Sequence, residues 1–162
     1  MKKLFLIILA SSFLVMCKSA KTAAATEEKE VKRPEVQYRD DFRSATDREK
    51  NALLKKLSAS DSRYSVLVFT QNYKGERITA SNAKGRFYSG YAISNLKTGI
   101  ADRIRIDNSL DTTVHDKSDN HEIVIEAKEA QKHKYIYVMK NPGGKNPFTV
   151  TYSNTLRPLE DK

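Results

Sequence analysis

The sequence contains a single cysteine, no tryptophan, and only six glycines and four prolines among its 162 residues. One cysteine excludes an internal disulfide bond and a zinc site made of several cysteines. Glycine and proline are too few for a collagen-like or low-complexity chain. With 30% charged and 39% hydrophobic residues, the composition is typical of a globular protein, and the length allows one ordinary domain with a tail.

The motifs of several common enzyme classes are also missing. The sequence has no Gly-x-Ser-x-Gly turn, no Gly-x-x-x-x-Gly-Lys-Ser/Thr phosphate loop and no His-Glu-x-x-His metal motif. We therefore predict that the protein is not an enzyme and uses no cofactor. The net charge is +9, but the basic residues are spread along the chain and no recognition helix is evident, so we expect no nucleic-acid partner.

The first 17 residues have the pattern of an export signal. Lys2 and Lys3 precede an uncharged apolar run at positions 4–16, and the only cysteine, Cys17, follows this run directly. As a helix the run would be about 20 Å long, which is short for a hydrocarbon core of about 30 Å. This order of charge, short apolar run and polar chain predicts a cleaved signal peptide at residues 1–16.

This segment resembles the signal peptide of bacterial lipoprotein precursors. Leu14 and Val15 fit the lipobox of that class, whereas Met16 stands where a small residue is usual. The resemblance implies that the Cys17 thiol carries a diacylglycerol and becomes the mature amino terminus, so that lipid anchors the protein in the bacterial envelope. It favours the outer membrane, because Lys18 rather than Asp follows the cysteine.

Two alternatives stay open for this region. Ala23, Ala24 and Ala25 offer an A-x-A cleavage site, and cleavage there would give a soluble secreted binding module. An uncleaved apolar anchor is the other alternative. We favour the lipoprotein, because Lys18 and Lys21 separate the apolar run from the A-x-A site.

Two short segments connect the leader to the rest of the chain. Residues 17–43 mix charges of both signs with few apolar side chains, so we predict a lipidated cysteine followed by a flexible stalk. Residues 44–60 are predicted to form a short helix, because Thr46 and Glu49 have the spacing of a capping box. The leucine stripe of this helix should pack on the sheet that follows, and it consists of Leu53, Leu54 and Leu57.

The hydrophobic period changes to two over residues 63–155, where seven or eight short strands follow one another at a spacing of about ten residues. This pattern predicts a mainly β fold, an antiparallel β-sandwich, with a small β-barrel as the alternative. In the last strand Phe148, Val150 and Tyr152 alternate with polar residues and should point inward. Residues 156–162 are predicted to be a peripheral tail.

Turn residues refine this prediction. Residues 72–75 and 82–85 share the pattern Asn-x-Lys-Gly, which favours two consecutive hairpin turns, and Gly90 is a candidate bulge. The final strands resemble the end of the jelly-roll module of the pre-peptidase C-terminal type, and the resemblance covers residues 64–153. It carries no diagnostic motif, so we transfer no functional residue from it.

One polar segment, residues 111–122, concentrates oxygen and imidazole groups that are suitable for Ca²⁺ or Zn²⁺. The candidate metal ligands are Asp111, His115, Asp116, Asp119, His121 and Glu122. Their spacing does not match an EF-hand, and Lys117 would repel a cation, so a solvated loop between strands is the simpler interpretation. A metal-dependent hydrolase that uses His115, Asp119 and His121 is the alternative.

The remaining candidates are lysines in predicted turns and tyrosines in predicted strands. Because turns gather at the ends of a sandwich, the lysines are candidates for a basic end that binds an anionic glycan or another envelope protein. They are Lys74, Lys84, Lys97 and Lys145. The tyrosines are candidates for a sugar-binding face, and they are Tyr88, Tyr91, Tyr135 and Tyr137. The simpler interpretations are that the lysines keep sheet edges solvated and that the tyrosines border the core.

Overall fold

The computed structural model of the chain describes residues 33–158, which form nine strands and two short helices. In chain order these elements are β1 (Glu35–Tyr38), α1 (Asp47–Lys56), β2 (Tyr64–Phe69), β3 (Lys74–Asn82), β4 (Gly85–Ile93), β5 (Asp102–Asp107), β6 (Thr112–Asp116), β7 (His121–Ile125), α2 (Ala127–Ala130), β8 (Tyr135–Lys140) and β9 (Phe148–Ser153). Within this part of the chain, no helix has the length and apolar character needed to cross a bilayer.

The strands form two separate sheets, which we call sheet A and sheet B. Sheet A has the order β1-β9-β8-β2-β5, and sheet B has the order β4-β3-β6-β7. The prediction of a mainly β sandwich is confirmed, and the strands do not close into the alternative barrel. Sheet B is antiparallel throughout, whereas sheet A is mixed, because β1 pairs with β9 and β2 pairs with β8 in parallel.

The main hydrophobic core lies between the two sheets. Leu67 and Ile136 contribute to it from sheet A, and Ile78 and Ile123 from sheet B, and none of these four has any exposed surface. The alternating residues of β9 confirm the sequence prediction, because all three belong to this core: Phe148, Val150 and Tyr152.

A second, smaller core covers the outer face of sheet A. Helix α1 begins as predicted, since the Thr46 hydroxyl accepts a hydrogen bond from the Glu49 amide and the Glu49 carboxylate accepts one from the Thr46 amide. Leu53 is buried against Val66 and Val68 of β2, as the stripe predicted, and the less buried members of the stripe pack beside it. The domain therefore has three layers, in the order helix, sheet A and sheet B.

The structure corrects the predicted end of the stalk. Residues 35–38 form β1 at the edge of sheet A, and Phe42 packs against the second core, so the folded domain begins before residue 44. Residues 1–32 lie outside the described part of the chain, and with them the predicted signal peptide, Cys17 and most of the predicted stalk. At the other end, Leu156 is buried in the second core, so the predicted tail begins inside the fold.

The turns also differ in part from the prediction. Residues 82–85 form the β3–β4 hairpin, as expected, and Gly85 has φ of 116°, which favours glycine. Residues 72–75 instead carry the chain from sheet A to sheet B, so this turn is not a hairpin. The register shifts lie beside Gly75 and Phe87, and Gly90 is paired regularly with Ile78.

Candidate functional site

The polar segment at residues 111–122 was expected to be a solvated loop and contains the candidate metal ligands, but it forms β6, a turn and the start of β7. Asp111 accepts a hydrogen bond from the Ala127 amide at 2.7 Å, at the end of β6 that is remote from the turn. His115 and Glu122 are cross-strand partners, and so are Asp116 and His121 at the next position. Since neighbouring residues of a strand point to opposite faces, the two pairs lie on different faces of sheet B. Within residues 33–158, no three His, Cys, Asp or Glu side chains are placed to hold a metal ion.

Two of the six candidate ligands instead surround a lysine. The Lys140 ammonium lies 2.8 Å from Asp116 and 2.7 Å from Asp119, and a third carboxylate, that of Glu76, also lies at 2.8 Å. We call these four residues the Lys140 cluster. Lys140 belongs to β8 in sheet A, whereas Glu76 and Asp116 belong to sheet B, so the cluster joins the sheets at one end of the sandwich.

The central ion pair of the Lys140 cluster is buried. The side chain of Lys140 is 5% exposed and that of Asp116 has no exposed surface. Burial would lower the pKa of Lys140, but its hydrogen bonds to the three carboxylates outweigh this and raise that pKa. Burial would likewise raise the pKa of Glu76, but the hydrogen bonds from Lys140 and from the Lys74 amide outweigh burial, so that this pKa is lowered. The cluster therefore holds a protonated lysine beside the ionised carboxylate of Glu76.

The structure places the predicted turn lysines at both ends of the sandwich. Lys74, Lys97 and Lys145 lie in or beside the loops at the end where β2 and β8 finish. Lys84 lies in the hairpin at the opposite end, where its ammonium is 3.0 Å from Asp107. Three of the four candidates thus share an end.

The four tyrosines do not form one face. Tyr88 points inward, where its hydroxyl donates to Asp102 at 2.5 Å, whereas Tyr91 is 72% exposed on the outer face of sheet B. Tyr135 and Tyr137 are buried in the second core, on the far side of sheet A. The candidate sugar-binding face of these four residues is therefore not assembled, and three of them lie in or against the cores.

A different cationic site lies on the outer face of sheet A, beside the area that α1 covers. We call it the arginine cleft, and it consists of Arg39, Phe42, Arg43, Tyr137 and Arg157. The guanidinium carbon of Arg157 lies 4.0 Å from the centroid of the Phe42 ring and 4.4 Å from that of the Tyr137 ring. Such stacking fixes the plane and the position of the cation.

Hydrogen bonds hold the two segments that form this cleft. One Asp40 carboxylate oxygen accepts from the Ser153 hydroxyl at 2.7 Å and from the Asn154 and Thr155 amides at 2.6 and 3.1 Å. These hydrogen bonds, that from the Ser153 hydroxyl first, lower the pKa of Asp40. The Tyr137 hydroxyl donates to the Thr155 carbonyl and accepts from the backbone amide of residue 157, both at 2.9 Å. Hydrogen bonds within the protein therefore fix the shape of the cleft without a ligand.

Arg39 also lies over the Phe42 ring, with its guanidinium carbon 5.1 Å from the ring centroid. Arg39 and Arg157 differ in how their charges are balanced. Arg39 forms two parallel hydrogen bonds of 2.9 Å with the Asp41 carboxylate, which raise the pKa of Arg39 and lower that of Asp41. No carboxylate in residues 33–158 lies within 4.0 Å of the Arg157 guanidinium, and its buried Nε has no hydrogen-bond acceptor. Burial accordingly lowers the pKa of Arg157. An anion beside Arg157 would compensate a half-buried charge.

A polar groove adjoins the cleft between Arg39 and Arg157, with a volume of about 190 Å³. It is smaller than the roughly 300–1,000 Å³ of a pocket for a drug-sized ligand, so it suits one small polar unit. Its hydroxyl and amide groups can face a ligand that carries several hydroxyls, although the hydroxyls of Thr70 and Thr149 already donate to Val138 and Glu35. The hydroxyl and amide groups of the groove come from Gln37, Thr70, Gln71, Thr149 and Thr151.

A larger groove, of about 430 Å³, lies between the edge strands β1 and β7. Its lining is mainly apolar, and it includes the exposed side chains of Val36, Tyr38 and Val124. The carboxylates at its rim already have partners, since Glu126 pairs with Lys128 and Glu129 pairs with Lys132. The arginine cleft, in which no carboxylate of residues 33–158 lies within 4.0 Å of the Arg157 guanidinium, is the stronger candidate for ligand binding.

Sequence reasoning missed the arginine cleft because its parts fell into segments that were predicted to be unstructured. Arg39 and Phe42 lie in the predicted stalk, and Arg157 lies in the predicted tail. No pattern in the sequence relates positions that are more than 110 residues apart. The one available signal was the alternation of apolar and polar residues in β9, because it predicted that an ordered strand leads directly to the segment that contains Arg157.

Comparison with models of known protein families, with curated proteins and with solved structures finds no match to this chain.

Proposed function

We propose that this protein is a lipid-anchored lipoprotein of the bacterial envelope whose β-sandwich is a non-catalytic module that binds an anionic glycan. The anchor is inferred from the apolar leader that ends at Cys17, and the outer membrane is favoured because Lys18 follows it. The binding role is inferred from the arginine cleft. One observation supports it most directly: Arg157 is stacked between two rings, and no carboxylate of residues 33–158 lies within 4.0 Å of its guanidinium.

The chemistry of the cleft favours an acidic sugar. A guanidinium binds a carboxylate through two parallel hydrogen bonds, which gives affinity and orientation together. The neutral hydroxyl and amide groups of the adjoining groove suit the hydroxyls of a sugar ring, and its small volume suits a single sugar unit. A uronic-acid residue within a polysaccharide combines these features.

A non-catalytic role is supported by the ion pairs of two candidate metal ligands, of which Asp119 also belongs to the hydrolase alternative. Asp116 and Asp119 are ion-paired with Lys140, and Asp116 is fully buried. A general acid or base must reach a substrate proton within about 3 Å. The Lys140 cluster joins the two sheets, and it is better suited to stability than to proton transfer.

Binding of oligosaccharides to the purified full chain tests the role of the cleft. We expect Arg157→Met to weaken binding of a uronic-acid oligosaccharide about tenfold or more, because it removes charge-assisted hydrogen bonds. Arg105→Met is the matched control, since Arg105 also stacks on a tyrosine, at 4.5 Å from the Tyr64 centroid, but lies outside the cleft. The neutral oligosaccharide of the same length serves as the control ligand.

Two results would contradict the proposed binding role. One is equal affinity of wild type and a folded Arg157→Met variant for the acidic oligosaccharide. The other is equal affinity of wild type for the acidic and the neutral oligosaccharide. For the first result, circular dichroism establishes that the variant is folded.

A further inference from the structure

The exposed apolar side chains of the domain are concentrated on one edge. Seven large hydrophobic side chains are exposed within residues 33–158, and four of them lie on or just after β4. Their exposed fractions are 42% for Phe87, 72% for Tyr91, 65% for Ile93 and 100% for Leu96. We call these four residues the β4 surface.

Strand geometry explains why these side chains face solvent. Ala92 of β4 points into the main core, so its neighbours Tyr91 and Ile93 point outward. Phe87 is the extra residue at a register shift against β3, and Leu96 lies in the turn that follows β4. Because β4 is the edge strand of sheet B, no strand of residues 33–158 is hydrogen-bonded to its outer side.

The charges around the β4 surface are predominantly basic. Residues 84–101 contain Lys84, Arg86 and Lys97 but no aspartate or glutamate. The adjacent strand β3 adds Lys74 opposite Ile93 and Arg77 opposite Tyr91. Apolar side chains and excess positive charge therefore occupy the same edge.

The nearest carboxylates are already paired. Asp102 of β5 accepts from the Tyr88 hydroxyl, and Asp107 pairs with Lys84. The side chain of Glu76, on β3, is directed to Lys140. Asp107 therefore neutralises Lys84. The edge stays basic because of Arg86 and Lys97, together with Lys74 and Arg77 on β3.

We propose that the β4 surface docks the domain on an anionic lipid bilayer. Aromatic and aliphatic side chains enter the interface between headgroups and acyl chains, while arginine and lysine contact anionic headgroups. The four basic side chains around the apolar strip are complementary in charge to an anionic bilayer. The proposal rests on the proposed anchor at Cys17 only for the presence of a membrane nearby.

The length of the chain before the domain allows this orientation. The β4 edge lies on the opposite side of the sandwich from β1, where the chain enters. Four strand spacings of about 4.8 Å separate the two edges of sheet A, which is about 19 Å. Seventeen residues lie between Cys17 and Glu35, and a fully extended chain of that length spans at most about 60 Å. A lipid at Cys17 is therefore compatible with a β4 edge that faces the same bilayer.

The absence of tryptophan allows a direct test in the full chain. Leu96→Trp places the only tryptophan on the β4 surface, and Val124→Trp, on the outer face of β7, is the matched control. We expect the emission of Leu96→Trp to shift to shorter wavelength and to be quenched by brominated acyl chains in phosphatidylglycerol-containing vesicles. We expect neither effect in pure phosphatidylcholine vesicles or with Val124→Trp.

Charge removal provides the second measurement. Each neutralised basic residue should weaken docking about fivefold, so Leu96→Trp combined with Arg86→Gln and Lys97→Gln should lose most of the quenching. High salt should have the same effect.

Three outcomes would overturn the proposal. The first is that Leu96→Trp is not quenched in anionic vesicles, and the second is that Val124→Trp is quenched equally. The third is a shift to shorter wavelength without vesicles together with a doubled sedimentation mass, which would assign the β4 surface to contact between two copies of the chain. All three differ from failure of the anchor, which the mass of the amino terminus reports.

Discussion

The ammonium group of Lys140 lies 2.8 Å from the carboxylate of Asp116, and this pair connects β8 of sheet A to β6 of sheet B. The two side chains are almost completely buried, at 5% and 0% exposure. A buried ion pair is not by itself a large source of stability, but loss of one partner leaves an uncompensated charge in the interior. The first two predictions follow from this relationship.

We expect Lys140→Met to destabilise the domain strongly. The substitution removes the cation and leaves three carboxylates close together, with Asp116 fully buried, so the free energy of unfolding should fall by about 3–5 kcal/mol. Urea unfolding at pH 7 measures this. Lys145→Met, in the loop that follows β8, is the control and should change the free energy of unfolding little. A Lys140→Met variant as stable as this control would contradict the structural role of the cluster.

The stability of the domain should depend on pH at both limits. The pKa of Glu76 is lowered from 4.5, so its contribution is present above pH 4.5 and is lost as pH falls through the lowered value. The pKa of Lys140 is raised from 10.5, so its contribution is present below pH 10.5 and is lost as pH rises through the raised value.

Thermal unfolding of wild type and Glu76→Gln from neutral to acid pH tests the acid limit, and the loss of wild-type stability above pH 10.5 tests the alkaline limit. The variant should lose stability at neutral pH and should show a weaker further loss below pH 4.5 than wild type, because its side chain does not titrate. If the two proteins lose equal stability in acid, the carboxylate of Glu76 does not contribute in the way that we describe.

Asp40 and Asp41 should behave differently although they are neighbours. Asp40→Ala removes the acceptor for three donors of the segment at 153–155, so we expect a loss of about 1 kcal/mol of stability and weaker binding of the acidic oligosaccharide. Asp41→Ala removes an exposed partner of Arg39 that also interacts electrostatically with Arg157, so thermal stability should stay close to that of wild type while oligosaccharide binding is retained or strengthened. If Asp40→Ala left both properties unchanged, Asp40 would not position the cleft.

Val150→Asp should prevent folding. Val150 has no exposed surface and lies in the core between the sheets, where an unpaired charge is very costly. Val124→Asp is the matched control, because Val124 is 39% exposed on the outer face of sheet B. Circular dichroism during heating distinguishes the two variants. Cooperative unfolding of Val150→Asp near the wild-type midpoint would contradict the inward orientation of β9.

The features that the sequence predicted correctly depend on local patterns. The capping box of α1 needs only Thr46 and Glu49, three positions apart, and the inward face of β9 needs only the alternation of six residues. Strand β1 was missed because backbone hydrogen bonds to β9 hold it at the edge of sheet A, and its side chains stay mostly exposed. Such bonds depend on the backbone and leave no hydrophobic pattern in the sequence.

The two polar sites show the same limit. The concentration of acidic residues at 111–122 was evident in the sequence, but the cation that Asp116 and Asp119 bind is Lys140, on the opposite sheet. The two segments that form the arginine cleft are held together by a hydrogen bond from the Thr155 amide to Asp40, and these residues are 115 positions apart. Both depend on which strands pair, and strand order cannot be derived from the spacing of strands along the chain.

The intact mass of the mature protein extracted from bacterial membranes tests the central claim most directly. If the protein is a lipid-anchored envelope lipoprotein, the mass corresponds to a chain that begins at Cys17 and carries diacylglycerol on the thiol. An unmodified chain that begins at Thr26 would contradict the anchor and would leave a secreted module with the same fold.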